Sequence, residues 1–250
     1  MKWFKEQQLW LRATILGGAA VVLAAIVLLS VFVIPPAVRY AQAQRLIATD
    51  PAGAHELFYN MGDYRRARER AQAIQDEVID SRTVHSVEFA GVQWLVLEQR
   101  DGLALLLREE ALPSRAFHGA LVDITWENSE MRNYLNGQWL NRLPQNDRAR
   151  VVQTQVSNRD SRFGTAGGEN TQDYVFLLSL AEARLYFADD QARVARFGNV
   201  NVFWWLRSPG LQENVAAIVR SNGELGIAGS PVHGGMALDR FVRPALWVTM

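Results

Sequence analysis

The chain contains no cysteine. That absence excludes thiol nucleophiles, Cys-ligated zinc, iron–sulfur clusters and disulfide bonds, and it leaves no mark of the redox compartment. Histidine is scarce: His55, His85, His118 and His233 are scattered, with no His-Glu-x-x-His or comparable ligand spacing, so they read as ordinary core or surface residues. An excess of either charge is missing as well. The 26 Lys and Arg balance the 26 Asp and Glu, and a neutral chain has no basic excess with which to grip nucleic acid. There is no Gly-x-Ser-x-Gly elbow and no evident Ser, His and acid set. Gly164-Thr165-Ala166-Gly167-Gly168 lacks the Gly-Lys-Ser/Thr ending of a phosphate loop and reads as a mobile loop. On these grounds no catalytic residue, metal or cofactor is expected.

What the chain does have is one long apolar run. Ala13–Ile34 carries no charge and as a helix would extend about 33 Å, enough to cross the hydrocarbon core of a bilayer. Pro35-Pro36 closes the run; Trp3, Phe4 and Trp10 precede it and Tyr40 follows it, as interface anchors do. A cleaved signal peptide fits less well, because the run is longer than a signal core and the nearest Ala-x-Ala, Ala41-Gln42-Ala43, lies far downstream. Lys2, Lys5 and Arg12 before the run, against Arg39 and Arg45 after it, put the N-terminus in the cytoplasm. The expected order is a cytoplasmic tail over 1–12, a transmembrane helix over 13–35, a helical stalk over 36–82 and a globular domain over 83–250. The protein is then a single-pass protein of the cell membrane, in contact with the bilayer through Ala13–Ile34, with its C-terminal domain outside the cytoplasm.

The stalk reads as a short helical hairpin. Asp50-Pro51 pairs a capping residue with proline at the first helical position. Gly62-Asp63 ends that helix and opens the next, in which Tyr64, Ala67, Ala71, Ile74 and Val78 share one face. Arg65, Arg66, Arg68 and Arg70 cover the other side as a solvated face. One such unit cannot bury its own apolar face, so it should pack on the next domain or on a partner.

From Thr83 the periodicity becomes that of an α+β domain, mostly antiparallel sheets with two or three helices. Val84–Phe89 and Val92–Leu97 flank a tight Ala90-Gly91 turn, and Arg100-Asp101-Gly102 leads into a third strand from Leu103. Ile124–Leu143 has helical spacing and ends at Pro144. Val152, Thr154 and Val156 alternate as one strand, and a long Gly-, Arg- and Asn-rich loop follows from Ser157 to Asn170. Asp173–Leu178 reads as a buried strand, and Ser179-x-x-Glu182 as a capping box. Strands are expected at Phe203–Ser208, Asn214–Arg220, Leu225–Ala228 and Phe241–Val248, with an Asn222-Gly223 turn.

The most distinctive stretch is Trp204-Trp205-Leu206-Arg207-Ser208-Pro209-Gly210. Adjacent residues on a strand point to opposite faces, so both faces there must be covered or used. Arg207 and Arg243 sit in apolar surroundings and need partners; Glu127 and Asp173 are the candidates for Arg132, Arg207 or Arg243, and Glu182 is a further one for Arg207. The functional alternative is a guanidinium beside tryptophan that binds a carboxylate or a sugar. Glu169, Asn170 and Asp173 cluster oxygens, well short of a calcium-loop signature. Trp204, Trp205, Arg207, Asn170 and Asp173 are therefore the ligand-binding candidates.

Five blocks carry a family resemblance. They are Val92-Gln93-Trp94-Leu95-Val96-Leu97-Glu98; Thr125-Trp126-Glu127-Asn128-Ser129 with Arg132 and Leu135-Asn136; Thr171–Ser179 with Glu182-Ala183; Trp204–Gly210; and Val242-Arg243-Pro244-Ala245-Leu246-Trp247. In this order they resemble the bacterial domain of unknown function 6273, over Thr83–Met250. The Met61-Gly62-Asp63-Tyr64 helical unit resembles a tetratricopeptide-like segment of the kind that precedes this domain. The resemblance implies a fold similar to the C-type-lectin and formylglycine-generating-enzyme group. The lectin motifs Glu-Pro-Asn and Trp-Asn-Asp are absent, which speaks against calcium-dependent glycan binding. Formylglycine chemistry uses enzyme cysteines, which this chain lacks.

The leading expectation is a non-catalytic interaction or ligand-binding domain for envelope carbohydrate or protein. One alternative is an envelope carbohydrate-active enzyme using Glu127 and Asp173, which would need both carboxyls in one cleft roughly 5–10 Å apart. Another is a structural adaptor that docks a partner through the Asp50–Asp80 helices.

Overall fold

The computed structural model describes residues 34–233 and 240–250. Among the described residues no helix is long and apolar enough to cross a membrane. The expected span Ala13–Ile34 lies, apart from Ile34, outside them.

The segment before the domain forms three helices, one more than the expected hairpin: α1 (Pro36–Leu46), α2 (Pro51–Asn60) and α3 (Ala67–Asp80). Asp50 caps α2 as its sequence predicts, accepting the Gly53 N–H at 2.8 Å, with Pro51 in the first turn. Gly62 ends that helix in the left-handed region, but the Asp63 side chain makes no capping bond to the next turn. The chain reverses through Arg65 and Arg66, both at positive φ, before α3 begins. Rather than standing free, the helices lie along their own domain. The Gln75 amide donates to the Arg184 and Phe187 carbonyls, Arg159 pairs with Asp50, and Ala54, Phe58, Ala71 and Ile74 join the common core. The apolar face that one helical unit cannot bury by itself is thereby removed from water.

The domain is α+β. A five-stranded antiparallel sheet runs in the order β1 (Ser86–Phe89), β2 (Val92–Arg100), β3 (Leu103–Arg108), β12 (Ala245–Thr249), β4 (Val151–Val152). The turns at Ala90-Gly91 and Asp101-Gly102 have positive φ at both central residues, the geometry whose twist suits a two-residue hairpin. The second sheet has the order β10 (Leu225–Pro231), β9 (Val215–Val219), β8 (Val200–Pro209), β11 (Arg240–Phe241), with β7 (Ala195–Phe197) also on β8. β5 (Thr154–Val156) and β6 (Thr171–Asp173) form a separate pair.

Several expected elements differ in their bounds, each for a local reason. The helix expected from Ile124 begins only at α4 (Glu130–Tyr134), because Ser129 accepts the Arg132 N–H and acts as the cap; a wide turn and a tight turn then carry the chain to Arg142. The alternating Val152, Thr154, Val156 run splits at Gln153, with Val152 pairing to β12 and Thr154 to β6. Phe241–Val248 also splits. Pro244 has no N–H for a ladder, so Phe241 joins β8 while Ala245 onward joins β3. Asp173–Leu178 pairs regularly only as far as Asp173, and Phe176 then makes one bridge to Ala245.

Leu180–Leu185 forms α6 after the short helix α5 (Gln145–Arg148), and it opens with the predicted capping box of Ser179 and Glu182. The short helix α7 (Asp190–Arg193) comes next. The core between these layers is tryptophan-rich: Trp94, Trp126, Trp204 and Trp205 are all fully buried.

Candidate functional site

The Trp204–Gly210 stretch lies in β8 and is interior. Trp204 and Trp205 face opposite sides of the sheet, at 0% and 1% exposure. The Trp204 indole N–H donates to the Arg193 carbonyl at 3.2 Å, and the Trp205 N–H to the Arg115 carbonyl at 2.8 Å. Trp205 also meets Phe117 edge to face at 5.7 Å, and Phe117 adjoins Trp126. Neither indole has a face or a donor left for a ligand, so this pair fills two layers of the core.

Arg207 is buried too. It donates to both oxygens of Glu182 and to the Leu177 and Ser157 carbonyls, leaving only Nε without a partner. Of the three carboxylates expected for it, only Glu182 reaches it. Asp173 holds a different cluster: it accepts from the Trp126 indole at 2.8 Å, the Thr171 hydroxyl at 2.7 Å and Arg132 Nε at 2.6 Å, at 0% exposure. A carboxylate so engaged and fully buried presents no oxygen to a ligand in solvent. The Glu127 carbonyl accepts from the same Arg132, at 3.1 Å, while its carboxylate accepts the Glu169 N–H at 3.4 Å, and neither carboxylate lines the clefts of about 440, 710 and 720 Å³.

Asn170 is exposed and fastens its own loop, accepting the Asn158 N–H at 2.9 Å. The loop expected to be mobile is tied at several points: Asp160 accepts the Gly167 N–H, and the buried Thr165 hydroxyl donates to the Gly210 carbonyl at 2.9 Å. Asn170 borders a cleft of about 440 Å³ with Glu98, Tyr186 and Trp247. There the Tyr186 hydroxyl donates to Glu98, and burial, reinforced by the Glu98 charge, pushes the phenol well above its usual range. The five sequence candidates therefore do not converge on one surface.

The cleft that does gather exposed polar side chains is different. It measures about 720 Å³ and lies between β2, the end of β3, α7 and β7. Gln93, Glu109, Glu110, Gln191 and Arg196 are exposed along it, and Arg108 is half-buried. Arg108 Nε donates to the Glu110 carbonyl at 2.9 Å; burial pulls its guanidinium below the ordinary range, and the Glu110 carboxylate offsets part of that. The Glu110 side chain also accepts the Gly198 N–H at 2.8 Å, which fixes one rim.

Arg243 contributes to the lining from beneath, at 1% exposure. Its Nε donates to the Arg108 carbonyl at 2.9 Å and Nη1 to the Arg193 carbonyl at 3.4 Å, while the guanidinium lies 5.1 Å from the centre of the Trp204 ring. Among the described residues it forms no ion pair with a carboxylate; burial brings it down to about 10, with Glu109 acting against that from a distance. Of its candidate partners, Asp173 pairs instead with Arg132, one of the arginines proposed for it, and the Glu127 carboxylate pairs with no arginine among the described residues. A buried cation held by carbonyls and aromatic rings adds positive potential under a cleft whose rim carries both signs.

Sequence reasoning did not single out Gln93, Glu109, Glu110, Gln191 or Arg196 as site residues. They come from four separate elements, none forms a motif with its neighbours, and only their shared position in the fold relates them.

A protein-family model described as "Domain of unknown function (DUF6273)" matches residues 101–250. No curated protein and no solved structure matches the chain. The match begins later than the Thr83 suggested by the sequence blocks, so Val92–Glu98 falls before it. The wall from Arg108 to Gly198, with Arg243 below, lies inside it. Since the match covers more than half of the sequence, the chain belongs to the DUF6273 family.

Proposed function

We propose that the chain is a non-catalytic ligand-binding protein whose domain holds an envelope carbohydrate in the cleft above Arg243. The observation that carries this reading is the set of planar side chains of both hydrogen-bonding senses around one cleft. Gln93 and Gln191 both donate and accept, Glu109 and Glu110 accept, and Arg108 and Arg196 donate. A sugar hydroxyl does both at once, so a polyhydroxylated ligand can satisfy such a rim where a simple ion or an apolar molecule cannot.

In this reading Ala13–Ile34 anchors the chain in the cell membrane and the domain faces away from the cytoplasm, within reach of envelope glycans. The three helices, one stretch of which is tetratricopeptide-like in sequence, then join anchor to domain. The likeness to C-type-lectin and formylglycine-generating-enzyme folds belongs to the same reading.

The test is calorimetric titration of the full chain in neutral detergent with a panel of envelope oligosaccharides, beside a Gln93→Ala, Gln191→Ala double variant. Both residues are exposed, so the variant should fold normally. Binding by the parent that weakens about tenfold in the variant supports the reading. Binding by no oligosaccharide, or equal binding by both proteins, ends it.

A further inference from the structure

A second cleft, of about 710 Å³, opens where α2 and α3 meet the domain, and apart from Arg193's neighbours on α7 it is built from other elements than the cleft above Arg243. Five arginines line it, Arg68, Arg162, Arg184, Arg193 and Arg220, against two carboxylates, Asp190 and Glu224. Both carboxylates are already engaged, Asp190 by Arg193 and Glu224 by Arg220 at 3.0 Å. Arg184 makes only a loose 3.9 Å contact with Glu56, and its guanidinium lies 4.5 Å from the centre of the Tyr59 ring. Arg68 and Arg162 are exposed and have no ion-pair partner among the described residues.

These cations act on one another. Burial pulls the Arg184 guanidinium below its ordinary range; Glu56 and Tyr59 oppose that, while the charges of Arg193 and Arg162 add to it. His55, in the same lining, is driven down to about 4 by burial and by Arg184, so it adds no charge near neutrality. The cleft therefore has two uncompensated guanidinium groups, Arg68 and Arg162, exposed at its rim, and a third, Arg184, weakly compensated and more shielded from water, where screening is poorer. Guanidinium forks match phosphate oxygens two by two, and several converging forks select a ligand with more than one negative charge. The Tyr59 side chain, 45% exposed at the rim, brings a hydroxyl that can donate to the same oxygens.

We propose that Arg68, Arg162 and Arg184 form a binding site for a phosphate-bearing polyanion, held between the helical segment and the domain. Arg68 comes from α3, Arg162 from the loop after β5, and Arg184 from α6, so the ligand bridges two parts of the chain and tightens their docking. The phosphate can be free in solution or carried on a lipid headgroup.

The experiment uses the full chain with inorganic pyrophosphate as the probe, in discs of phosphatidylcholine, and repeats the measurement without pyrophosphate in discs containing phosphatidylglycerol. The comparison proteins are an Arg68→Gln, Arg162→Gln double variant and, as a charge-matched control, an Arg45→Gln, Arg142→Gln variant at exposed positions outside both clefts. The expected result is a saturable rise in the unfolding midpoint of the parent with pyrophosphate. Affinity should fall about tenfold or more in the Arg68/Arg162 variant and stay at the parent level in the control. If phosphatidylglycerol alone stabilises the parent, and the Arg68/Arg162 variant loses that effect, the phosphate is that of a headgroup. Equal responses in the parent and the Arg68/Arg162 variant, or none to either phosphate source, overturn the proposal.

Discussion

The Arg207 guanidinium donates to both carboxylate oxygens of Glu182, and the same carboxylate accepts the Ser179 N–H that opens α6. One side chain thus completes a capping box and neutralises a buried arginine on the central strand. Through Leu177 and Ser157, Arg207 also fixes the chain on either side of the loop. Glu182→Ala should therefore destabilise the protein by about 3–5 kcal/mol, the cost of leaving a buried charge unpaired. Urea unfolding reads this directly. A loss below about 1 kcal/mol would mean the pair is no more than a surface contact.

Asp173 makes a comparable claim for a different cluster. Replacing it with Asn keeps the volume but removes the charge that holds Arg132 and leaves one acceptor where there were two. Asp173→Asn should cost about 3 kcal/mol in the same assay. Its near-ultraviolet circular dichroism should also change, because Trp126, Thr171 and Arg132 then compete for one acceptor oxygen beside the indole.

His55 provides a pH test. Its folded value is about 4 against an ordinary 6.5, from burial first and Arg184 second. Between these values the unfolded chain binds the proton and the folded chain does not, so stability rises with pH. The stability is intact above about pH 6.5 and is lost as pH falls toward 4, by up to about 3 kcal/mol. Melting temperatures taken from pH 7 to pH 4 should fall more steeply for the parent than for His55→Gln. Parallel curves would remove His55 from the account.

Asp50 joins the helices to the loop, capping α2 with one oxygen and pairing with Arg159 through the other. Asp50→Ala should cost about 1–2 kcal/mol from the lost cap. It should also raise amide hydrogen exchange over 157–170, while exchange in β8 and β9 stays slow. Unchanged exchange in the loop would show that its internal bonds to Asn170, Asp160 and Ser161 suffice.

Much of the fold was legible residue by residue wherever the signal is local. The Asp50-Pro51 start, the Ala90-Gly91 and Asp101-Gly102 turns and the Ser179/Glu182 box all form as read, because each depends on a few adjacent dihedrals and hydrogen bonds; the hairpin at Asn222-Gly223 forms as a three-residue loop between Arg220 and Glu224, with only Gly223 at positive φ. What misled were patterns that two different partners can satisfy. Val152, Thr154 and Val156 alternate correctly for a strand, but alternation does not say that the strand changes sheets at Gln153. The helical spacing from Ile124 was real in its second half, and Ser129 outcompeted the first half as a cap.

The candidate site was less legible than the fold. Trp204, Trp205 and Arg207 stood out because a tryptophan pair and a charge on a buried strand are unusual, and unusual composition marks demanding packing as readily as binding. Composition and local pattern by themselves determined the α+β class, the turns and caps, the need to bury an arginine, and the chemistries that a chain without cysteine cannot perform. Only the tertiary structure decided which carboxylate answers which arginine, that Arg243 has carbonyls in place of a carboxylate, and which free side chains share a cleft. Those outcomes bring residues as far apart as Gln93 and Arg243, or Arg68 and Arg184, to one cleft. No short-range rule relates such pairs; they meet because strands and helices distant in the chain pack on one core.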